Sequence, residues 1–396
     1  MLMATFLDYA RDEMRSFSEH PFAGEDAVIF SQLVYLSFPD NLAQQGLSLQ
    51  QLLRRETYPF LISQMSHGEE ALELLRLCGE NPRFREVRLA DRVSPNSTSD
   101  PNRFCAATFI LPDSTRVIAF RGTDGTIAGW HEDYRLLFVT PPLDSQAQAL
   151  DYLKSHASSE LSEQPEIIIT GHSMGGNLAI YAAACAPADV QTRIRSVWAQ
   201  DSPGFIHDFI ESEQFQAVRS RIHKFVPESS MVGMLFDSGV EETIVRSTTH
   251  GSEQHFLSTW AFTQRKIGKA IDSSVDNREV ENEQGEKTPV RDTSPSTWVL
   301  EKTEHLSRYS QTLAKMLNGW RDSLSVPQRE QFIETLFAAL TSTGFVEFSE
   351  LKENWNTTIP AVTQYLRSLP AEERNQLSSA IGELVKLIVL PSSDES

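Results

Sequence analysis

Cysteine is scarce: the 396 residues hold three, Cys78, Cys105 and Cys185. An odd number without regular spacing excludes a disulfide framework, and no Cys-x-x-Cys pair or His/Cys cluster has zinc-site spacing. Positive charge is short as well. Thirty-five Lys and Arg face 54 Asp and Glu, a net charge of −19. That balance argues against nucleic-acid binding, which needs a basic face, and against electrostatic docking on anionic lipid. No apolar run is long enough to span a bilayer. Residues 1–12 carry acids and lack the basic start, apolar centre and small-residue cleavage site of a secretory signal. A reducing, cytoplasmic setting is the expectation. What is present is 40% apolar and 22% charged residues, enough for a sizeable globular core.

The hydrophobic pattern divides the chain. Residues 1–90 read mostly as helix, with 26–38 apolar nearly all round and so expected to pack deep against a sheet. A second helix over 68–78 is ended by Gly79 and Pro82. Strand signals follow at 103–111 and 115–121, separated by Pro112-Asp113-Ser114, which reads as a hairpin. A helix over 144–161, a strand over 166–170 and a helix over 177–186 come next. Strands at 196–200, 222–226 and 243–247, with a helix over 205–218, complete an alternating pattern. Strands alternating with helices predict an α/β fold with a mostly parallel central sheet. The polar stretch 270–296 has little to bury and reads as a linker or flexible loop. Helical periodicity returns over 298–390, where Phe332, Leu336, Leu340 and Phe345, with Leu366, Leu377 and Leu384, suggest packed amphipathic helices. Three parts are expected: 1–269, 270–296 and 297–396.

The stretch Gly171-His172-Ser173-Met174-Gly175-Gly176 carries the chemistry. A β-branched strand precedes it and an apolar helix follows, the setting in which Gly-x-Ser-x-Gly forms a nucleophile elbow. Small residues two before and two after the serine let strand and helix cross closely. A serine hydroxyl needs a base, and the base needs an orienting acid, both on loops after later strands. His250 and His255 lie just past the last strand, and His255 is favoured because it leads into a helix start near Phe256 and Trp260. Asp201 and Glu228 each head a turn after a strand, and the choice leans to Asp201. His131, His156, His207 and His223 fall in other elements and read as ordinary surface histidines. The backbone N–H of Met174 would be one oxyanion donor. The second would come from Gly122-Thr123, braced by Trp130 and Asp133.

These residues carry a resemblance. The segment 117–133, with Phe120-Arg121-Gly122-Thr123 followed by Trp130 and Asp133, is similar to the Phe-Arg-Gly-Thr…Trp-x-x-Asp segment of class 3 (fungal-type) lipases, and 171–176 resembles their elbow. A fuller similarity, over about residues 1–265, is to a bacterial family of lipase-like α/β-hydrolases called Mbeg1-like. It runs through 26–38, 171–181, Asp201-Ser202-Pro203-Gly204-Phe205, 226–235, and Gln254-His255 with Trp260. The resemblance implies an α/β-hydrolase fold, Ser173 as nucleophile, His255 as base, and Thr123 and Met174 as oxyanion donors. It divides over the acid: class 3 lipases place it near Glu228, whereas the bacterial family favours Asp201. Phe256-Leu257 departs from the Asp-Pro that relatives carry after the histidine.

The expected function is cleavage of a lipid-like or small-molecule carboxylic ester by a serine hydrolase that needs no metal or cofactor. Acyl transfer, thioester or amide cleavage on the same triad, or a silent binding scaffold, are the alternatives. The helices after 296 are expected to pack on the site or cap it, with dimerisation as the other role.

Overall fold

The computed structural model describes residues 3–38, 46–53, 68–95, 103–157, 164–266, 279–281, 287–289 and 296–389. Its centre is a seven-stranded sheet in sequential order: β1 (Arg88–Val93), β2 (Ala106–Ile110), β3 (Arg116–Phe120), β4 (Ile167–His172), β5 (Ile194–Gln200), β6 (Ile222–Pro227) and β7 (Glu242–Val245). The first three strands are antiparallel to one another, and β3 to β7 run parallel. This is the α/β-hydrolase fold. Parallel neighbours that always step in one direction send their right-handed crossovers to one face. The helices Asp144–Ala157, Met174–Cys185 and Glu213–Val218 accordingly share a core with Ile118, Phe120, Ile167 and Ile169. The opposite face needs another cover. The N-terminal helices Phe6–Asp12, Gly24–Leu33 and Gly68–Glu80 supply it, packing on Val117, Ala119 and Ile168. Every residue of Gly24–Leu33 is buried, and within it Asp26 is paired with Tyr9 and Arg83, Ser31 with Gln200, and Glu25 with the Leu300 N–H.

Several elements differ from the sequence-based expectation. The strand β1 begins inside the stretch read mostly as helix, because its sequence, with polar Arg88, Asp91 and Arg92, shows no strand alternation. The hairpin β2–β3 is present, closed by residues 111–115 with Ser114 at φ 70°. The helix expected at 205–218 is broken into His207–Ile210 and Glu213–Val218, since the Ser212 hydroxyl caps a new helix by accepting from the Phe215 N–H. The helix at 144–161 is seen to Ala157, and 158–163 lie outside the described residues. Most of the expected linker 270–296 also lies outside them. Its described residues include the short antiparallel pair β9 (Glu279–Glu281) and β10 (Lys287–Pro289).

A second pairing ties the N-terminal layer to later parts of the chain. The strand β8 (Phe262–Lys266) pairs antiparallel with β11 (Ser296–Leu300), so the region expected to be helical from 298 begins in a strand. Phe262 also bridges Ala4, and the Leu300 N–H donates to the Glu25 carboxylate at 2.6 Å. Helices follow at Arg308–Ser323, Val326–Thr341, Phe348–Glu353, Trp355–Ser368 and Ala371–Val389. Ile333 and Phe337 form a small core with Leu351 and with Ile127, a residue of the helix Ile127–Tyr134 beside the site. Phe332, Leu336, Leu340 and Phe345 pack around that core.

Candidate active site

Four loops at the C-terminal edge of the parallel strands meet. The loop after β3 brings Gly122 and Thr123, the end of β4 brings Ser173, the end of β5 brings Asp201, and the segment after β7 brings His255. Ser173 sits at φ 56°, ψ −133° between strand and helix, a region that a side chain enters only under strain. Its N–H donates to Gln200 O at 2.8 Å, tying the turn to β5. The glycines are steric necessities: a Cβ on Gly171 would enter the Gly175 carbonyl, and one on Gly175 would enter that of Phe120.

His255 ends a single 3₁₀ turn, Gly251–His255, rather than opening a helix. Trp260, fully buried, holds the segment through an indole N–H bond to Gln254 O at 3.0 Å. The His255 Nε2 lies 3.0 Å from Ser173 Oγ, and its Nδ1 lies 2.6 Å from Asp201 Oδ2. Asp201 is fully buried. Burial pushes its carboxyl upward, but the His255 bond and charge and the Ser230 hydroxyl outweigh that and hold it below the ordinary carboxylate range. Its second oxygen accepts from the Ser230 hydroxyl and from the Gly233 N–H at 3.0 Å.

Glu228 does not meet the imidazole's Nδ1, which is taken by Asp201. Glu228 serves through its backbone: its N–H donates to Val245 O and its carbonyl accepts from the Ser307 N–H. The turn that begins with Glu228 thus supports Asp201 through Ser230 and Gly233. His250 is exposed.

The loop after β3 is tightly determined. A Cβ on Gly122 would lie 2.9 Å from the Ser173 Cβ and 2.6 Å from His172 O, so this loop abuts the serine. The Thr123 hydroxyl donates to Asp133 Oδ2. Asp124 accepts from Arg103, Arg121 and the Thr126 hydroxyl. Among the described residues, the N–H groups of Thr123 and Met174 have no protein acceptor. Trp130 faces the cavity, and its ring lies tilted against that of Phe348 with centroids 5.9 Å apart.

Three contributors were not visible in the sequence. Tyr35 and His172 form a buried bonded pair beside the serine, and Phe348 reaches the site from the C-terminal helices. A bond between a turn and a strand 137 positions apart leaves no local pattern to find. A cavity of about 620 Å³ opens over Ser173, Thr123 and His255, walled by Trp130, Met231, Val232, Phe256, Leu257 and Phe348. Among the described residues no three His, Cys, Asp or Glu side chains cluster as metal ligands, and no helix is long and apolar enough to cross a membrane.

The family model described as Mbeg1-like matches residues 78–288. The chain belongs to the Mbeg1-like family. No curated protein matches it. Among solved structures, this family member is similar to the M37 lipase, with 15% identity over 54% of this chain and 70% of that one, and a TM-score of 0.34. A lipase from Rhizopus microsporus var. chinensis shows 13% identity over 57% and 75%, with a TM-score of 0.35. A triacylglycerol lipase from Penicillium expansum shows 14% over 41% and 70%, with a TM-score of 0.31.

Proposed function

We propose that this Mbeg1-like protein is a serine hydrolase that cleaves carboxylic esters through a covalent acyl-enzyme. The observation that carries the reading is the unbroken line from Asp201 Oδ2 through His255 to Ser173 Oγ, which ends in an open cavity. Nδ1–H of His255 donates to the Asp201 carboxylate, which leaves Nε2 as the acceptor facing the serine hydroxyl. The hydroxyl oxygen attacks the ester carbonyl as its proton passes to Nε2. The Thr123 and Met174 amides receive the oxyanion. Nε2–H then protonates the leaving alcohol. Water, deprotonated by the same nitrogen, releases the acid and regenerates the serine. The apolar wall favours an acyl chain over a polar group.

The test is covalent labelling with a fluorophosphonate probe, followed by turnover of p-nitrophenyl esters of graded chain length. Labelling and turnover are expected in the wild type, with turnover falling at least ~10³-fold in Ser173→Ala. A folded protein that never labels would be a binding scaffold. One that labels but turns over only with an added acyl acceptor would be a transferase.

A further inference from the structure

We propose that Tyr35 and His172 form a positioning relay that ties the oxyanion loop to the backbone of His255; the inference rests on the hydrolase reading above. Three bonds make the relay. The Gly122 N–H donates to Tyr35 Oη at 3.2 Å, Tyr35 Oη lies 3.0 Å from His172 Nδ1, and His172 Nε2 lies 2.7 Å from the carbonyl oxygen of His255.

Chemistry sets the directions. A carbonyl oxygen only accepts, so His172 carries its proton on Nε2 and donates to His255. Burial, with the neighbouring His255, pushes the His172 imidazole down to about 3, so it is neutral wherever the triad would work. A neutral ring with its proton on Nε2 has an acceptor at Nδ1, and Tyr35 O–H supplies the donor.

The relay touches each half of the reaction. Gly122 directly precedes Thr123, a proposed oxyanion donor, and His172 directly precedes Ser173. The last bond fixes the main chain of the base itself, and the His172 and His255 rings lie 4.5 Å apart between centroids. Tyr35 comes from the N-terminal helical layer and is 6% exposed. Donors and base are thereby held in one register, on which transition-state stabilisation depends far more than substrate binding does.

The test compares the full-length wild type with Tyr35→Phe, which deletes one oxygen. With p-nitrophenyl butyrate, kcat is expected to fall roughly ten-fold while KM stays within about two-fold. An unchanged kcat in a folded variant overturns the relay. A second measurement does not depend on the variant folding. Nitrogen-15 NMR of the wild-type imidazoles is expected to show His172 protonated on Nε2 and bare on Nδ1 across neutral pH. A proton on Nδ1 overturns the relay. Wild-type protein that fails to label with fluorophosphonate while showing the Nε2 proton overturns the hydrolase reading, and the positioning role with it.

Discussion

The Phe348 N–H donates to the Gly125 carbonyl at 2.9 Å, and two residues earlier Val346 O accepts from the Ile127 N–H at 2.8 Å. A segment of the C-terminal helices is thus stitched by backbone bonds to the loop that follows Thr123. The Phe348 side chain projects into the cavity wall while remaining 42% exposed. Phe348→Ala removes part of that wall and leaves the backbone bonds. KM for an octanoyl ester is expected to rise roughly five-fold, as partial burial of a phenyl ring contributes about 1 kcal/mol. KM for the acetyl ester should not change. Steady-state kinetics on the two esters checks it, and equal shifts would remove Phe348 from acyl contact.

The assignment of the acid has a direct test. Asp201→Asn keeps the shape but cannot hold His255 in the tautomer with its proton on Nδ1, so kcat is expected to fall about 10⁴-fold. Glu228→Gln keeps the backbone bonds to Val245 and Ser307 and should leave kcat within about two-fold. The reverse ranking in turnover assays would return the role to Glu228.

Gly122→Ala places a methyl group where Tyr35 Oη, His172 O and Ser173 Cβ would lie 2.7, 2.6 and 2.9 Å away. Two of these belong to the rigid elbow, so the loop must move. A fall in kcat of about 10²-fold is expected, with about 1–3 kcal/mol lost in denaturant unfolding. Wild-type turnover in the alanine variant would mean that the loop is not part of the machinery.

His172 gives stability a pH dependence of known sign. Its folded-state value is depressed to about 3 from the ordinary 6.5. Between those values the unfolded chain binds a proton that the folded chain refuses, so stability rises with pH and is lost on acidification. The slope from this one group is about 1.4 kcal/mol per pH unit. His172→Gln retains a donor for the His255 carbonyl and removes the titration. Urea unfolding of both proteins from pH 6 to pH 4 should show a flatter dependence in the variant, and parallel curves would contradict the burial argument.

Much of the fold was legible because its signals are local. Three consecutive isoleucines before Gly171 announce β4, and an apolar helix after the elbow completes the turn. The stretch 26–38, apolar nearly all round, likewise forecast an element packed deep on the sheet, and Gly24–Leu33 is fully buried there. Non-local pairing was the hidden part. In β8, Phe262 is followed by Thr, Gln, Arg and Lys, which look like solvent-facing loop until Ser296–Leu300 lies beside them. The two candidate acids were nearly alike in sequence, each heading a turn after a strand, with a lean to Asp201. The tertiary contact that brings His255 Nδ1 to Asp201 separates them, and Ser230 and Gly233 then hold that carboxylate. His172 had no role legible in the sequence, since no local pattern reveals a partner in the turn after an N-terminal helix.

The pairing of β8 with β11 has a temporal consequence. The platform behind His255 is a knot of three distant pieces: Ala4 and Glu25 near the start of the chain, Phe262 just past the histidine, and Leu300 far beyond it. A ribosome must have released the third piece before the knot can close. The platform therefore closes only after Gly122, Thr123 and Ser173, which lie earlier in the chain, have been made.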